Sequence, residues 1–323
     1  MEYRELGQTG LVVSRLCFGA LTIGPLQARL TPAEGGLIIR AAYEAGITFF
    51  DTAELYGTYP HLREGLAGVA GEVHLASKSY APDAEGMRQS LEEALRALGQ
   101  DHLAVFALHE VDTAAQLRGH AGALEYLVRA KERGLIRAVG LSTHSAEGVR
   151  AAALTPAIDV IHPLVNRAGL GVKGGLPAML KALELAAALG KGLYAMKPLG
   201  GGHLRASAWE SLAWALSLPG VAAVAVGMRS EAEVRFNAGL AARLAGEPGA
   251  PDEAELARLG QAVAGAARWV HVEAWCAGCG ACVRACPAGA LSLAGGRAAV
   301  DREKCLLCGY CGAACPEMAI KIV

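Results

Sequence analysis

The chain has 323 residues, room for about two domains of roughly 150 residues each, although a single α/β barrel absorbs most of that length. Thirty Lys and Arg against thirty-one Asp and Glu leave a net charge of −1, which gives no basic stripe for nucleic acid and no acidic tail. With 53% hydrophobic and 19% charged residues, disorder is excluded and a soluble globular chain with a large core is expected.

The start, MEYRELGQTG, alternates charge and lacks the apolar core of a secretory signal, so a cytoplasmic protein is expected. Residues 3–6 and 11–13, around Gly7 and Gly10, read as a hairpin. Eight brief apolar runs follow: LCFGA from Leu16, ITFFD from Ile47, VHLAS from Val73, AVFALH from Ala104, IRAVGLS from Ile136, VIHPLV from Val160, LYAMKP from Leu193 and VAAVAVG from Val221. Between them lie segments of helical periodicity such as MRQSLEEALRALG and LPAMLKALELAAALG, each closed by a Gly where a C-cap belongs. Strand then helix, eight times, predicts a (β/α)8 TIM barrel over residues 1–240. The uncharged run 211–228 is split by Pro219 and Gly220, which predicts a buried helix, a turn and a strand, with no membrane span.

Residues 241–270 read as a linker, GEPGAPDE, and a docking helix, ELARLGQAVAGAARWV. Residues 271–323 are too few for an ordinary core and require a metal staple. Cys276, Cys279, Cys282 and Cys286 are spaced C-x2-C-x2-C-x3-C before Pro287, and Cys305, Cys308, Cys311 and Cys315 repeat the spacing before Pro316. That run is the bacterial 4Fe-4S pattern, and this end of the chain resembles a two-cluster, ferredoxin-like α+β iron-sulfur domain. The resemblance implies one cluster on Cys276, Cys279, Cys282 and Cys315 and another on Cys305, Cys308, Cys311 and Cys286. Zinc also accepts four thiolates, but its sites pair two C-x2-C knuckles and have no use for the third cysteine. Four thiolates around a +2 core give each cluster a charge of about −2, so the loaded domain is acidic.

In the barrel, FFDTAELYG, LASKS, LHEVD and GLIRAVGLSTHS resemble the aldo-keto reductases. The resemblance implies a catalytic tetrad of Asp51, Tyr56, Lys78 and His109 at the C-terminal rim. Such a tetrad suits carbonyl reduction, in which hydride transfer leaves an alkoxide to be protonated. A phenol of pKa about 10 is a poor acid, and an ammonium from Lys78, held by Asp51, is expected to lower it. His109 is expected to orient the substrate oxygen.

For the cofactor, the resemblance implies NADPH or NADH. The loops PLGGGH, with Gly200 and Gly201, and GMRS, with Gly227, Arg229 and Ser230, suit a pyrophosphate and a ribose phosphate. Ser142 and Asn166 would hold the carboxamide, while Thr143 and His162 depart from the family pattern. Met196 stands where an aromatic stacks on the nicotinamide, and Glu233 and Phe236 replace expected adenine-side residues, leaving Asn237. Arg229 is the candidate for a 2′-phosphate.

Cys17 reads as a small core residue. His61, His144 and His203 read as solvated rim histidines, and Trp275 as packing over the first cluster. The expected protein is an oxidoreductase acting on a small carbonyl or alcohol, with two 4Fe-4S clusters for electron transfer and a possible redox partner protein. Two other readings are an electron-transfer protein whose barrel is a docking or sensing scaffold, and a reductase whose clusters are only structural.

Overall fold

The computed structural model describes residues 1–263 and 268–322, without the side chains of Ala262 and Val263. A hairpin of β1 (Tyr3–Glu5) and β2 (Val12–Ser14) precedes eight strands. These are β3 (Leu16–Gly19), β4 (Phe49–Asp51), β5 (His74–Ser79), β6 (Leu103–Leu108), β7 (Ile136–Thr143), β8 (Val160–Pro163), β9 (Gly192–Met196) and β10 (Val221–Gly227). They pair in parallel from β3 through β10, and β10 closes on β3. Helices lie between successive strands, so the architecture is the expected (β/α)8 barrel. The uncharged run resolves as expected into the helix Ala208–Ser217, a turn at Pro219 and Gly220, and β10.

Strands buried on both faces are mostly apolar, which is why these runs lack strict alternation; β5 is the clearest exception, its buried Ser77 and Lys78 held by Tyr59 and Asp51. Cys17, Phe49, Val105, Tyr194 and Ala223 share an inner cluster with Leu6, Leu11 and Val13 of the hairpin. Phe18, Phe50, Phe106 and Leu193, at the opposite parity, pack with the helices. The parallel register sets Asp51 beside Ala76 and Lys78 beside Ala107, so the strand ends converge on one rim.

The helix Glu231–Leu244 runs past residue 240. The expected docking helix begins at Glu253 and extends to Val263, with Leu256 buried in the outer core; residues 264–267 of that expectation lie outside the described residues. Arg268 and Trp269 belong to no helix, a departure from the single amphipathic segment expected there, because the chain is already entering β11 (Val270–Val272). The C-terminal domain adds β12 (Leu291–Ala294), β13 (Arg297–Val300) and β14 (Ile320–Ile322), with β11 antiparallel to β14 and β12 to β13. Its small core holds Val270, Leu291 and Ile320 with Cys282 and Cys311.

This domain sits on the strand-end rim of the barrel. Gly201, at φ 71°, has no side chain, and a Cβ there would run into the Leu306 carbonyl. Leu306 is itself buried in the barrel's outer cluster. Gln27 Nε2 donates to the Leu307 carbonyl (2.8 Å), and His203 Nε2 donates to that of Cys305 (2.6 Å). Replacing Gly201 with Ala therefore disturbs docking more than barrel folding. Amide hydrogen exchange should rise in residues 24–30 and 303–310 while the barrel strands keep their protection, and unchanged exchange at both segments would contradict this seating.

Candidate active site and cluster sites

Asp51 ends β4, Lys78 is the penultimate residue of β5, His109 directly follows β6, and Tyr56 ends the turn Glu54–Tyr56. All four are buried. Lys78 Nζ donates to both Asp51 oxygens (2.9 and 2.8 Å) and to the Thr52 carbonyl (2.8 Å). Tyr194 Oη donates to Asp51 Oδ1 at 3.1 Å. Lys78 Nζ stands 4.8 Å from the centroid of the Tyr56 ring. The His109 ring lies edge-on to Tyr56 at 5.8 Å and stacks on Tyr80 at 4.1 Å. The four predicted residues are therefore assembled as one group.

Their electrostatics depart from the expectation in one respect. Burial, followed by the Asp51 and Glu110 carboxylates, holds the Tyr56 phenol well above its usual value. The Lys78 ammonium, paired with Asp51 and lying over the ring face, does not outweigh them. Tyr56 is thus firmly protonated. Burial, then Lys78, His144, His162 and Lys197, push His109 well below the ordinary histidine range, so its imidazole is neutral. His109 Nδ1 is buried and finds no hydrogen-bond partner among the described residues.

Several neighbours escaped the sequence reading. Glu110 and Lys197 follow His109 and Met196 and take left-handed φ values of 55° and 56°. Such backbone costs about 1–3 kcal/mol per residue and concentrates at functional sites. Lys197 Nζ donates to His144 Nε2 (3.0 Å), which lies 3.5 Å from Glu110 Oε1. Tyr310, from the C-terminal domain, donates to Glu110 Oε1 at 3.4 Å and packs with Ala53 and Tyr56, with Cys308 against them. Tyr194 was signalled by parity alone, two residues before Met196. Tyr310 had no such signal.

The rim histidines need correction. His61 is buried and donates through Nε2 to the Leu30 carbonyl (2.8 Å), and His144 is buried beneath Lys197. His203 remains exposed but is engaged by Cys305. Cys17 is a core residue as expected. Trp275 is 61% exposed, and its indole N–H donates to the Glu317 carbonyl (3.4 Å), so it stands at the surface instead of packing over the first cysteines.

A cavity of about 1140 Å³ opens between the loops after β9 and β10 and the C-terminal domain. Gly227, Arg229 and Asn237 line it. Arg229 is paired with Glu233 at 3.4 Å, and Ser230 Oγ accepts the Glu233 N–H at 3.2 Å as a helix cap. Gly200 is buried, and the space beside Gly201 expected for a phosphate is taken by the Leu306 backbone. Met196 is buried and does not line the cavity. Ser142 Oγ accepts the Glu110 N–H (2.9 Å), and Asn166 spends both amide atoms on the Leu170 backbone (2.9 Å each). Both are fully buried, so of the predicted cofactor set Gly227, Arg229 and Asn237 face open space and the carboxamide pair does not.

Cys276, Cys279, Cys282 and Cys315 surround one small cavity. Burial pushes the Cys311 thiol up to about 12, with Cys308, Cys305 and Cys286 its charged neighbours. The two groupings cross the sequence motifs. Among the described residues no three metal-ligating side chains converge as they would on a single ion; a cubane is larger and keeps its thiolates apart. Backbone N–H groups of Ala298, Ala290 and Ala319 point at Cys276, Cys286 and Cys315 (3.5, 3.3 and 3.3 Å), the kind of hydrogen bond that tunes cluster thiolates. Buried thiols ionise only beside positive charge, and an iron-sulfur core supplies it.

Residues 15–211 match the aldo/keto reductase family, and residues 268–316 match a 4Fe-4S dicluster domain. The chain is 31% identical to the soybean protein named "Probable aldo-keto reductase 1", over 50% of this chain and 48% of that one. It is 30% identical to the oxidoreductase YrpG of Bacillus subtilis, over 65% of this chain and 70% of that one. A Pseudomonas aeruginosa protein solved as an aldo-keto reductase candidate superposes with a TM-score of 0.64 at 27% identity, covering 75% of this chain and 95% of that one. The chain thus spans about half the length of the soybean relative.

The crossed grouping predicts which cluster each fourth cysteine serves. Cys286→Ser should damage the cluster of Cys305, Cys308 and Cys311, and Cys315→Ser that of Cys276, Cys279 and Cys282. Electron paramagnetic resonance of the reduced variants, scored against single substitutions in each triplet, reads the outcome. Loss confined to the mutated motif's own triplet would contradict the crossing.

Proposed function

This chain belongs to the aldo/keto reductase family and carries a 4Fe-4S dicluster domain, and from that premise we propose that it interconverts a small carbonyl compound and its alcohol, with the clusters exchanging electrons with the barrel site. The packing of Cys308 and Tyr310 against Tyr56 carries this reading, because it brings one cysteine group to the rim where the predicted tetrad stands. The other group includes the exposed Cys279, an outer port for a redox partner protein. NADPH or NADH belongs to the same reading, its phosphates in the cavity lined by Arg229. Thiolate-held clusters favour a reducing, cytoplasmic setting, and no described helix is long and apolar enough to cross a membrane.

A bound nicotinamide would supply both electrons and the carbon-bound hydrogen as a hydride, leaving one proton for the oxygen; without it, two 4Fe-4S clusters would supply the two electrons singly, and the second proton, to carbon, would come from solvent. The chain's own residues handle the oxygen. His109, neutral, donates a hydrogen bond to it and orients it. Tyr56 gives the proton, and Lys78, fixed by Asp51 and Thr52, stabilises the tyrosinate left behind. Tyr310 and Leu306 keep water from this exchange. Lys197, near Cys308, favours the reduced state of the inner cluster by its charge.

The engaged Ser142 and Asn166 favour a second reading, in which the site takes electrons from the clusters without a nicotinamide. Both readings need Tyr56. Tyr56→Phe should lower carbonyl reduction at least roughly a hundredfold, while cluster absorption and nucleotide affinity stay unchanged. Turnover at the wild-type rate would place the chemistry elsewhere.

A further inference from the structure

The cavity lined by Arg229 has a second wall that the barrel does not supply. Arg268, Trp269 and Arg302, from beyond the barrel helices, face Arg205, Arg229 and Trp209 across it. We propose that it is a composite site for a nucleoside diphosphate, in which Arg268 and Arg302 hold the phosphates with Arg229 and Arg205, and Trp269 offers an aromatic wall to the base. This rests on the cofactor part of the proposed function and extends it: the C-terminal domain completes the nucleotide site.

Guanidinium groups are suited to such a ligand, since their planar fork matches phosphate oxygens in pairs. Four of them gather here from three separate parts of the chain. Arg268 is drawn down to about 10, first by burial and then by Arg229, with Arg205 adding to it and Glu233 opposing. Like charges crowded into a sheltered cavity are a site that an anion relieves. Glu233 is spent on Arg229, through its side chain at 3.4 Å and its backbone N–H at 2.7 Å. The other lining acids, Glu210, Glu253 and Glu303, are exposed and hydrated. Trp269 is 37% exposed and already carries the Arg302 guanidinium 5.5 Å from its ring, an arrangement that can exchange for a base between them.

The position of Arg268 joins this site to domain docking. Its Nη1 donates to Gln27 Oε1 (2.8 Å), and Gln27 Nε2 donates to the Leu307 carbonyl (2.8 Å). Cys305 lines the same cavity. A nucleotide bridging Arg229 and Arg268 therefore favours the docked domain, and docking favours the nucleotide by the same factor.

The test is calorimetric titration of the anaerobic, cluster-loaded full chain with ADP. Arg268→Ala and Arg302→Ala should each weaken ADP by at least about tenfold, as loss of a charge-assisted phosphate contact does, with cluster absorption unchanged. Arg268→Lys should restore part of the loss. ADP should also slow iron extraction by a chelator from the cluster that includes Cys305. Affinities within about twofold of wild type in both Ala variants overturn the composite site; if Arg229→Ala alone weakens ADP, the barrel-only cofactor reading survives. If wild type binds no ADP, both the composite site and the cofactor part of the function fail, while Tyr56-dependent turnover driven by the clusters still stands. Chelation at an unchanged rate overturns the link to docking.

Discussion

The close approach of the Leu306 backbone to Gly201 is the constraint on which the rest depends. Only a residue without a side chain lets the loop 305–310 descend onto the rim, and Gln27 and His203 then fasten it through the Leu307 and Cys305 carbonyls. From that seating follow the contact of Cys308 and Tyr310 with Tyr56, the second wall of the cavity, and the loss of the phosphate space beside Gly201. The same contact that brings a cluster to the barrel closes part of the mouth.

Drying the mouth changes what its charges do. Electrostatic effects grow as water leaves, so the Asp51 and Lys78 pair is held tightly, and removing either partner alone costs about 3–5 kcal/mol. His109, His144 and His162 are all pushed below the ordinary histidine range by burial, which leaves Lys78 and Lys197 as the positive groups near the Tyr56 hydroxyl and the inner cysteines. A neutral imidazole beside a firmly protonated phenol is an arrangement that gives protons to an oxygen developing negative charge. The strained backbone at Glu110 and Lys197 aims two opposite charges toward the inner cysteines from adjoining parts of the rim.

The barrel was legible because most of its eight strands are dense apolar runs and helical periodicity recurs between them. Asp51, Lys78 and His109 were placed by their positions at strand ends. The cysteine spacing identified the second domain by chemistry, since so small a segment has no other means of folding. What the sequence withheld was mostly a relation between domains. Nothing in LCGYC says that Tyr310 will lie on Tyr56, and nothing in PLGGGH says that a neighbouring backbone will fill the space a glycine leaves. His61 and His144 were misread as solvated for a different reason: each is buried by partners within the barrel, His61 by the Leu30 carbonyl and His144 by Lys197 and Glu110. The expected effect of Lys78 on Tyr56 is outweighed because proximity was considered without the Asp51 countercharge and the cost of burial.

The most direct test of the account is a single-turnover experiment on the full chain, reduced anaerobically so that each cluster holds one electron and mixed by stopped flow with a carbonyl acceptor, once with NADP⁺ and once with no nicotinamide. The account predicts that cluster absorption recovers in step with the alcohol formed, one alcohol for two electrons. It also predicts that Tyr56→Phe slows both signals together. Clusters that stay reduced in the presence of the acceptor in both mixtures, while added NADPH turns the same acceptor over at full rate, would contradict it.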